Sequence, residues 1–179
     1  MNGKYNVVFG FLYLVTTAAL GPYMVKQYFG PHAQAEHANQ QAVKELTLAV
    51  EGGVAGQIAQ AQSDAILALN RQLESDEPID EIKGGPHAHG NLESLLNIAV
   101  GLVLGILTVS QIWKTVISGL FIAGALLHSG MLYLVTVFHL GWAGAILGTG
   151  AGPILLLAGL LLAGIASVKG FPMATSRER

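Results

Sequence analysis

The sequence predicts an all-α fold: an integral membrane four-helix bundle with a long, mostly helical extramembrane insertion between its first and second spans. Of the 179 residues, 52% are hydrophobic and only 11% are charged, whereas about a quarter of a soluble domain is typically charged. Nine of the eleven acidic residues lie between Glu36 and Glu81. Between Ser94 and Val168 the only charged residue is Lys114, so lipid suits this stretch better than water does.

The first span is predicted from about Tyr5 to Val25. Its roughly 20 apolar residues are long enough to cross the hydrocarbon core of a bilayer. A secretory signal has a shorter apolar core and a small-residue cleavage site, and the Ala18-Ala19 pair matches such a site weakly. We therefore interpret the segment as a retained helix, with a cleaved signal as the alternative.

The acidic insertion divides the chain into three predicted regions. These are the first transmembrane helix, the extracytoplasmic insertion, and the remaining three spans with a cytoplasmic tail, at 1–29, 30–86 and 87–179. Such a division places the charged residues outside the bilayer and the long uncharged stretches inside it.

Within the insertion, apolar residues recur at near-helical spacing through residues 38–75. Gly52-Gly53 interrupts this pattern, which predicts a long helix or a hairpin broken at that point. The apolar stripe needs a partner: the bilayer surface, its own second half, or another chain in a homo-oligomer or with other membrane subunits. A return loop is expected at 76–85 because it contains Pro78 and two glycines.

Three further spans follow the insertion. The second is predicted from about Asn91 to Ile112 and the third from Thr115 to Phe138, so the turn between them is short and the two are antiparallel neighbours. Gln111, Trp113 and Lys114 are expected to end the second span as an interfacial belt. The fourth span is predicted from about Gly144 to Val168, with Pro153 starting a turn or kinking it. Two small-residue patterns, Gly101–Gly105 and Gly144–Gly148–Gly152, are typical of helix packing in membranes.

The distribution of lysine and arginine predicts the orientation. In a four-span arrangement five basic residues fall on one side, namely Lys4, Lys114, Lys169, Arg177 and Arg179. This side is expected to be cytoplasmic. The prediction is a multi-pass protein of the cell inner membrane with both termini in the cytoplasm.

A polar stripe follows the second span. His87 and His89 lie at its start, and His89, Glu93 and Asn97 follow at intervals of four residues, which places the last three on one helix face. A carboxylate within a span usually faces the bundle interior and has a partner. His89 is the partner expected from the sequence, because it is one helical turn away and carboxylates often orient ligating histidines.

His128 lies midway along the third span, among apolar and small residues. It is interpreted either as a histidine hydrogen-bonded to a neighbouring helix or as a heme ligand, a metal ligand or a proton relay. His32, His37 and His139 are expected to be solvated or interfacial, although with His87 and His89 they share the outer side, where a copper or zinc site is an alternative.

Composition excludes several function classes. The chain contains no cysteine, so disulfides, thiolate metal sites and cysteine catalysis are excluded. A net charge of −2 gives no indication of nucleic-acid binding. Gly148-Thr149-Gly150-Ala151-Gly152 lacks the strand context and the lysine of a nucleotide-binding loop. No soluble-enzyme motif is present, and the chain is interpreted as a non-catalytic protein.

The segment His87-Ala88-His89-Gly90-Asn91-Leu92, followed by a histidine in the third span, resembles a group of small four-helix bacterial membrane proteins. Those proteins look like fragments of heme-copper oxidase catalytic subunits. The chain departs from their pattern in two places: Gly90 replaces an apolar residue, and Glu93-Ser94-Leu95 replaces Leu-Gly-Trp. The resemblance implies binding of a b-type heme through His87 or His89 together with His128, without oxidase activity.

The expected function is therefore a small membrane protein that binds heme b or serves as an accessory subunit of a membrane redox complex. One alternative is a structural or assembly subunit without a cofactor. Another is a metal-handling protein that uses the outer histidines for copper or zinc. The residues expected to form the cofactor site are His87, His89, Glu93, Asn97 and His128, and the metal candidates among them are the three histidines.

Overall fold

The computed structural model describes residues 3–171, and this part of the chain is helical and contains no strand. A π-helical turn, Leu126–Gly130, and a kinked segment, Lys83–His87, interrupt the α-helices. The α-helices are α1 (Lys4–Ala18), α2 (Leu20–Gln27), α3 (Phe29–Gly52), α4 (Ala55–Ile82), α5 (Ala88–Ile106), α6 (Gln111–Ala125), α7 (Met131–Phe138), α8 (Gly141–Leu147) and α9 (Ala151–Gly170).

Four helical stretches are long and apolar enough to cross a membrane, as the sequence predicts. They are Lys4–Gln27, the apolar part of Ala55–Ile106, Gln111–Phe138 and Ala151–Gly170. The chain forms two compact units. We call residues 3–19 and 84–171 the bundle, and residues 20–83 the hairpin unit. The insertion predicted from the sequence begins at residue 30, whereas the hairpin unit begins ten residues earlier, at Leu20.

Glycine allows α1 and α5 to pack closely in the bundle. A Cβ on Gly10 would lie 2.6 Å from the backbone oxygen of Ser94, and one on Gly101 would lie 2.7 Å from the oxygen of Gly3. Backbones approach this closely where small residues line a helix interface, a common arrangement in membrane bundles. The predicted packing role of Gly101 is therefore confirmed, whereas Gly105 is exposed.

The apolar core of the bundle lies between α5, α6 and α9. It contains Val100, Leu104, Leu107, Ile117, Phe121, Leu156 and Ala166. Gly159 of α9 lies against the ring of Phe121, which a Cβ at position 159 would approach to 3.0 Å. Close packing of these three helices fixes the positions of α5 and of the turn that follows α6.

One end of the bundle gathers three lysines. Gly3 lies against Gly101 near the end of α5, and the Thr108 backbone N–H donates to the Gly170 carbonyl at 2.8 Å. The start of α1, the α5–α6 turn and the end of α9 are therefore neighbours. Lys4, Lys114 and Lys169 lie at these three points, as the sequence predicts; Arg177 and Arg179 lie outside the described residues.

The hairpin unit contains two antiparallel helices, so the predicted break at Gly52-Gly53 is confirmed. α3 ends at Gly52, and Gly53 adopts the left-handed conformation with φ 72°. This conformation favours glycine because it has no Cβ. The seam between α3 and α4 is made of small residues, with Ala42, Ala65 and Ala68 buried in it.

The two predicted boundaries between the second and third spans are wrong. The second span ends at Ile106 rather than Ile112, and Gln111, Trp113 and Lys114 begin α6 instead of ending the helix before it. The reason is that residues 107–110 contain Leu107 in an extended conformation, and its side chain is packed into the core. The connection between the two spans is nevertheless short, as predicted.

The expected return loop at 76–85 is also wrong, because α4 continues through Pro78 to Ile82 and helical geometry is lost only at Gly85. The fourth span divides into α8 and α9, because Gly150 turns left-handed with φ 69° before α9. Pro153 lies in the first turn of α9 and starts that helix, where proline is tolerated. Gly144, Gly148 and Gly152 therefore do not share one helix face.

Candidate metal centre

The polar stripe of α5 lies partly inside the bundle. Glu93 and Asn97 are buried, with 3% and 0% of their surfaces exposed, whereas His89, at the start of the helix, is exposed. The side chains share one face because they are four residues apart. The prediction that this face turns inward holds for Glu93 and Asn97 but is wrong for His89.

His128 occupies the middle of the π-helical turn Leu126–Gly130, between α6 and α7. A single π turn adds a residue to the helix, and such turns are often found at functional sites. α9 passes directly behind it: a Cβ on Gly152 would lie 2.6 Å from the backbone nitrogen of His128. The backbone of the π turn therefore packs against Gly152 of α9, and the His128 imidazole on its other side faces α5.

Glu93 is bound by His128 and Ser129, not by His89. Nδ1 of His128 lies 2.5 Å from Oε1 of Glu93, and the Ser129 hydroxyl lies 2.5 Å from Oε2. A carboxylate oxygen accepts hydrogen bonds, so the His128 Nδ1–H donates to Glu93, and Nε2 is the ring nitrogen of His128 that this contact leaves free. Tyr13 of α1 extends this chain, because its hydroxyl lies 2.9 Å from the Ser129 hydroxyl oxygen.

His89 lies beside His128. The two imidazole rings meet edge to face, with centroids 4.8 Å apart and an interplanar angle of 64°. One ligand atom each from His89, Glu93 and His128 lie within 4.8 Å of one another. No other group of three such side chains approaches this closely within residues 3–171.

The common depth of the two histidines follows from the short turn between α5 and α6. His89 precedes the end of α5 at Ile106 by 17 residues, and His128 follows the start of α6 at Gln111 by 17 residues. Equal path lengths along antiparallel helices bring two residues to the same level. Counting instead from the outer end of the third span at Phe138, ten residues away, would place His128 too deep to meet His89. The count from Phe138 is misleading because α7 continues past the level at which α5 begins. Phe138 therefore does not mark the level of the start of α5.

The other histidines lie apart from this cluster. His87 uses Nδ1 to donate to the Thr17 carbonyl at 3.0 Å. His139 ends α7 in a left-handed conformation and is exposed. In the hairpin unit, His32 lies 3.0 Å from the Asp76 carboxylate, and His37 is exposed. The described residues therefore bring together two of the three predicted metal ligands, His89 and His128.

Asn97 belongs to a second polar cluster deeper in the bundle. Nδ2 of Asn6 donates to Oδ1 of Asn97 at 2.9 Å, and the Ser118 hydroxyl donates to Oδ1 of Asn6. Asn97 in turn donates to the Glu93 carbonyl at 3.0 Å. Its side chain is thus used for helix packing. Asn6, Ser118, Tyr13 and Ser129 were not predicted from the sequence, although a polar residue within an apolar span is itself a signal for such contacts.

The spacing of the two rings does not fit a heme held between them. With metal–nitrogen bonds of about 2 Å on each side, the centroids of two axial imidazoles lie roughly 6 Å apart. The observed 4.8 Å is shorter, and the edge-to-face contact leaves no slot for a flat macrocycle. A single ion fits better, because one ligand atom from each side chain lies within 4.8 Å of the others, and donors in a tetrahedral site lie about 3.3 Å apart.

Comparison of the chain with protein-family models, with curated proteins and with solved structures gives no match. The function must therefore be inferred from the site itself.

Proposed function

We propose that this chain is a multi-pass membrane protein that binds one divalent transition-metal ion, with zinc as the first candidate, through His89 and His128, with Glu93 orienting His128. The observation that carries the proposal is the convergence of the three ligand atoms within 4.8 Å of one another. Histidine ligands that a carboxylate orients are common in zinc sites. They also suit iron(II) and copper(II), so protein geometry and metal supply decide the selectivity.

The surroundings of the cluster support a metal site. Glu93 holds the Nδ1–H of His128, an arrangement that orients a ligating histidine and raises its basicity. Ser129 and Tyr13 in turn fix Glu93. His89 is exposed on the side where an ion would enter. The cluster therefore combines a pair held in place by hydrogen bonds, Glu93 and His128, with an exposed ligand, His89.

Membrane insertion is part of the proposal. The four apolar helical stretches support it, and so does the collection of Lys4, Lys114 and Lys169 at one end of the bundle, which favours that end for the cytoplasm. His89 and His128 lie about 17 residues, or roughly 25 Å, from that end. Under the proposal, this depth corresponds to a position near the opposite boundary of a hydrocarbon core of about 30 Å.

Metal titration of the purified full chain tests the proposal. The protein is stripped with a chelator in mild detergent, and Zn²⁺ is titrated against a fluorescent competitor chelator. We expect one equivalent to bind, and His89→Ala or His128→Ala to weaken binding at least tenfold. His87→Ala and His139→Ala are matched controls and should leave the affinity unchanged. Absence of binding by the native protein, or equal losses in the controls, would contradict the proposal.

Heme b is the second candidate. It is supported by the resemblance of the His-Ala-His segment to the small four-helix bacterial membrane proteins described above. An absorption spectrum distinguishes a bound heme from a bound metal ion. A b-type heme with two histidine ligands gives a strong low-spin spectrum that should disappear in His128→Ala. Because the imidazoles of His89 and His128 are in contact, that result would require the helices to separate around the macrocycle. The same heme spectrum would also support a role as an accessory subunit of a redox complex.

A further inference from the structure

The hairpin unit has an unusual distribution of apolar side chains. Its internal seam buries alanines, namely Ala42, Ala65 and Ala68, with Leu46 packed beside them. The larger apolar residues lie outside the seam. Val43, Val50, Ile66, Leu69 and Leu73 have between 45% and 57% of their surfaces exposed. An isolated hairpin gains more from burying leucine and isoleucine than from burying alanine, so these side chains indicate a second partner.

These five exposed residues share one face, which we call the outer apolar face. On α3, Val43 and Val50 are seven residues apart and lie next to the seam residue Ala42. On α4, Ile66, Leu69 and Leu73 follow the helical repeat beside Ala65. Because the helices are antiparallel, both rows fall on the same side of the seam. The hydrogen bond from Asn39 to Gln72, at 2.7 Å, fixes the register that brings Val43 level with Leu69.

The central part of the outer apolar face carries no charge. From residue 40 to 50 of α3 and from 62 to 73 of α4, its other members are Gln40, Thr47 and Gln62. The charged residues in these two ranges lie on the other sides of the helices. They are Lys44, Glu45, Asp64 and Arg71.

We propose that the outer apolar face packs against the same face of a second copy of this chain and forms an intermolecular four-helix bundle. A two-fold interface pairs the same surface of both copies, and a face with an uncharged centre allows this without repulsion between like charges at that centre. A bilayer surface fits less well, because helices that lie on membranes are rich in lysine and arginine. Residues 20–83 contain nine acidic and four basic side chains.

The size of the face suits a dimer. α3 contains 24 residues, which corresponds to about 36 Å of helix, and two adjacent helices are roughly 20 Å wide. Contact along the whole of α3 buries on the order of 1,000 Å² in total, near the lower limit for a specific interface, and the uncharged part at residues 40–50 supplies about half of it. The pairing would also satisfy the apolar stripe noted in the sequence.

The mass of the full chain in detergent tests this proposal. Analytical ultracentrifugation with chelator present should give a dimer, and Ile66→Lys or Leu69→Lys should give a monomer with unchanged helicity by circular dichroism. Leu48→Lys is the matched control. Leu48 is as exposed as Ile66, at 57%, but the helical repeat places it on the opposite side of α3, so the dimer should persist.

Cross-linking gives a second test that does not depend on variant stability. The chain has no cysteine, so a single Val43→Cys or Leu69→Cys reports its own neighbours in membranes. We expect disulfide-linked dimers from these positions and none from Leu48→Cys. A native protein that stays monomeric at micromolar concentration, or cross-links equally at position 48, would overturn the proposal. Zinc titration is independent of this outcome, so failure of the metal proposal is recognised separately.

Discussion

The bundle and the hairpin unit bury opposite kinds of residue. In the bundle, Glu93, Asn97 and Asn6 are buried while many leucines and isoleucines are exposed. In the hairpin unit, alanines are buried, and the exposed surface carries most of the charges of the chain. Both units are pairs or groups of packed helices, so the contrast does not come from secondary structure.

The contrast fits the different surroundings that our proposal of membrane insertion gives the two units. Where lipid covers the outside, burying an apolar side chain gains little, and helices associate through small residues and polar contacts. This describes α1 and α5, with their glycine contacts and the pair Asn6–Asn97. Where water covers the outside, apolar burial drives association. The hairpin unit therefore needs the additional burial that a second copy supplies under our proposal.

The largest expected effect concerns the sides of the membrane on which two positions lie, the tip of the hairpin and the lysine-rich end of the bundle. A single cysteine at Glu51→Cys, near the tip of the hairpin, should react with an impermeant maleimide added to intact cells. Lys114→Cys, at the lysine-rich end of the bundle, should react only after lysis, because lysine-rich ends stay in the cytoplasm. The measurement is the labelled fraction by gel shift. Reversed labelling would invert the topology, and equal labelling would argue against a membrane between the two positions.

The next effect concerns glycine packing in the bundle. Gly152→Ala places a Cβ 2.6 Å from the backbone of His128. We expect a loss of about 1–3 kcal/mol, the usual cost of overpacking, together with weaker metal binding because the π turn is displaced. Gly164→Ala is the control on the same helix, since a Cβ there meets nothing within 4 Å. Thermal unfolding followed by circular dichroism should show a lower midpoint for the first variant only.

A smaller effect is expected at the carboxylate that supports the metal centre. Glu93→Gln keeps the size of the side chain but removes the negative charge that orients His128. Loss of such a supporting group typically weakens metal binding about 10–100-fold. The competition titration used for the histidine variants measures it. An unchanged affinity would mean that Glu93 serves helix packing alone.

The sequence was sufficient for the helical content, the four apolar stretches, the hairpin break and the polar face of α5. These depend on local patterns: uninterrupted apolar runs, Gly52-Gly53, and residues spaced by four. The helix boundaries at Ile106 and Ile82 were not predictable in the same way. Leu107 leaves the helix to join the core, and Pro78 stays within α4, so both depend on tertiary context.

The metal centre was only half predictable. Its ligands on α5 follow from helical spacing, but the partner of Glu93 does not. The sequence pointed to His89, one turn away, whereas the structure gives His128 and Ser129. Counting residues from the α5–α6 turn predicts that His89 and His128 lie at one level, and this count was available in the sequence once the turn was located. No local sequence pattern predicts the π turn that orients the His128 side chain.

The smallest expected effect returns to the two units and compares one asparagine at a helix interface in each. Asn97→Ala removes the Asn6–Asn97 hydrogen bond from the bundle and should cost about 0.6–2 kcal/mol, the range for polar contacts between membrane helices. Asn39 in the hairpin seam donates to Gln72, but its buried Oδ1 has no hydrogen-bond partner among the described residues. The double change Asn39→Ala with Gln72→Ala should therefore be neutral or slightly stabilising, because it removes both partners and continues the alanine seam. Thermal unfolding of the two variants beside the native chain measures the difference. If the hairpin variant loses as much stability as the bundle variant, polar contacts hold both units together, and the contrast between them rests on apolar burial alone.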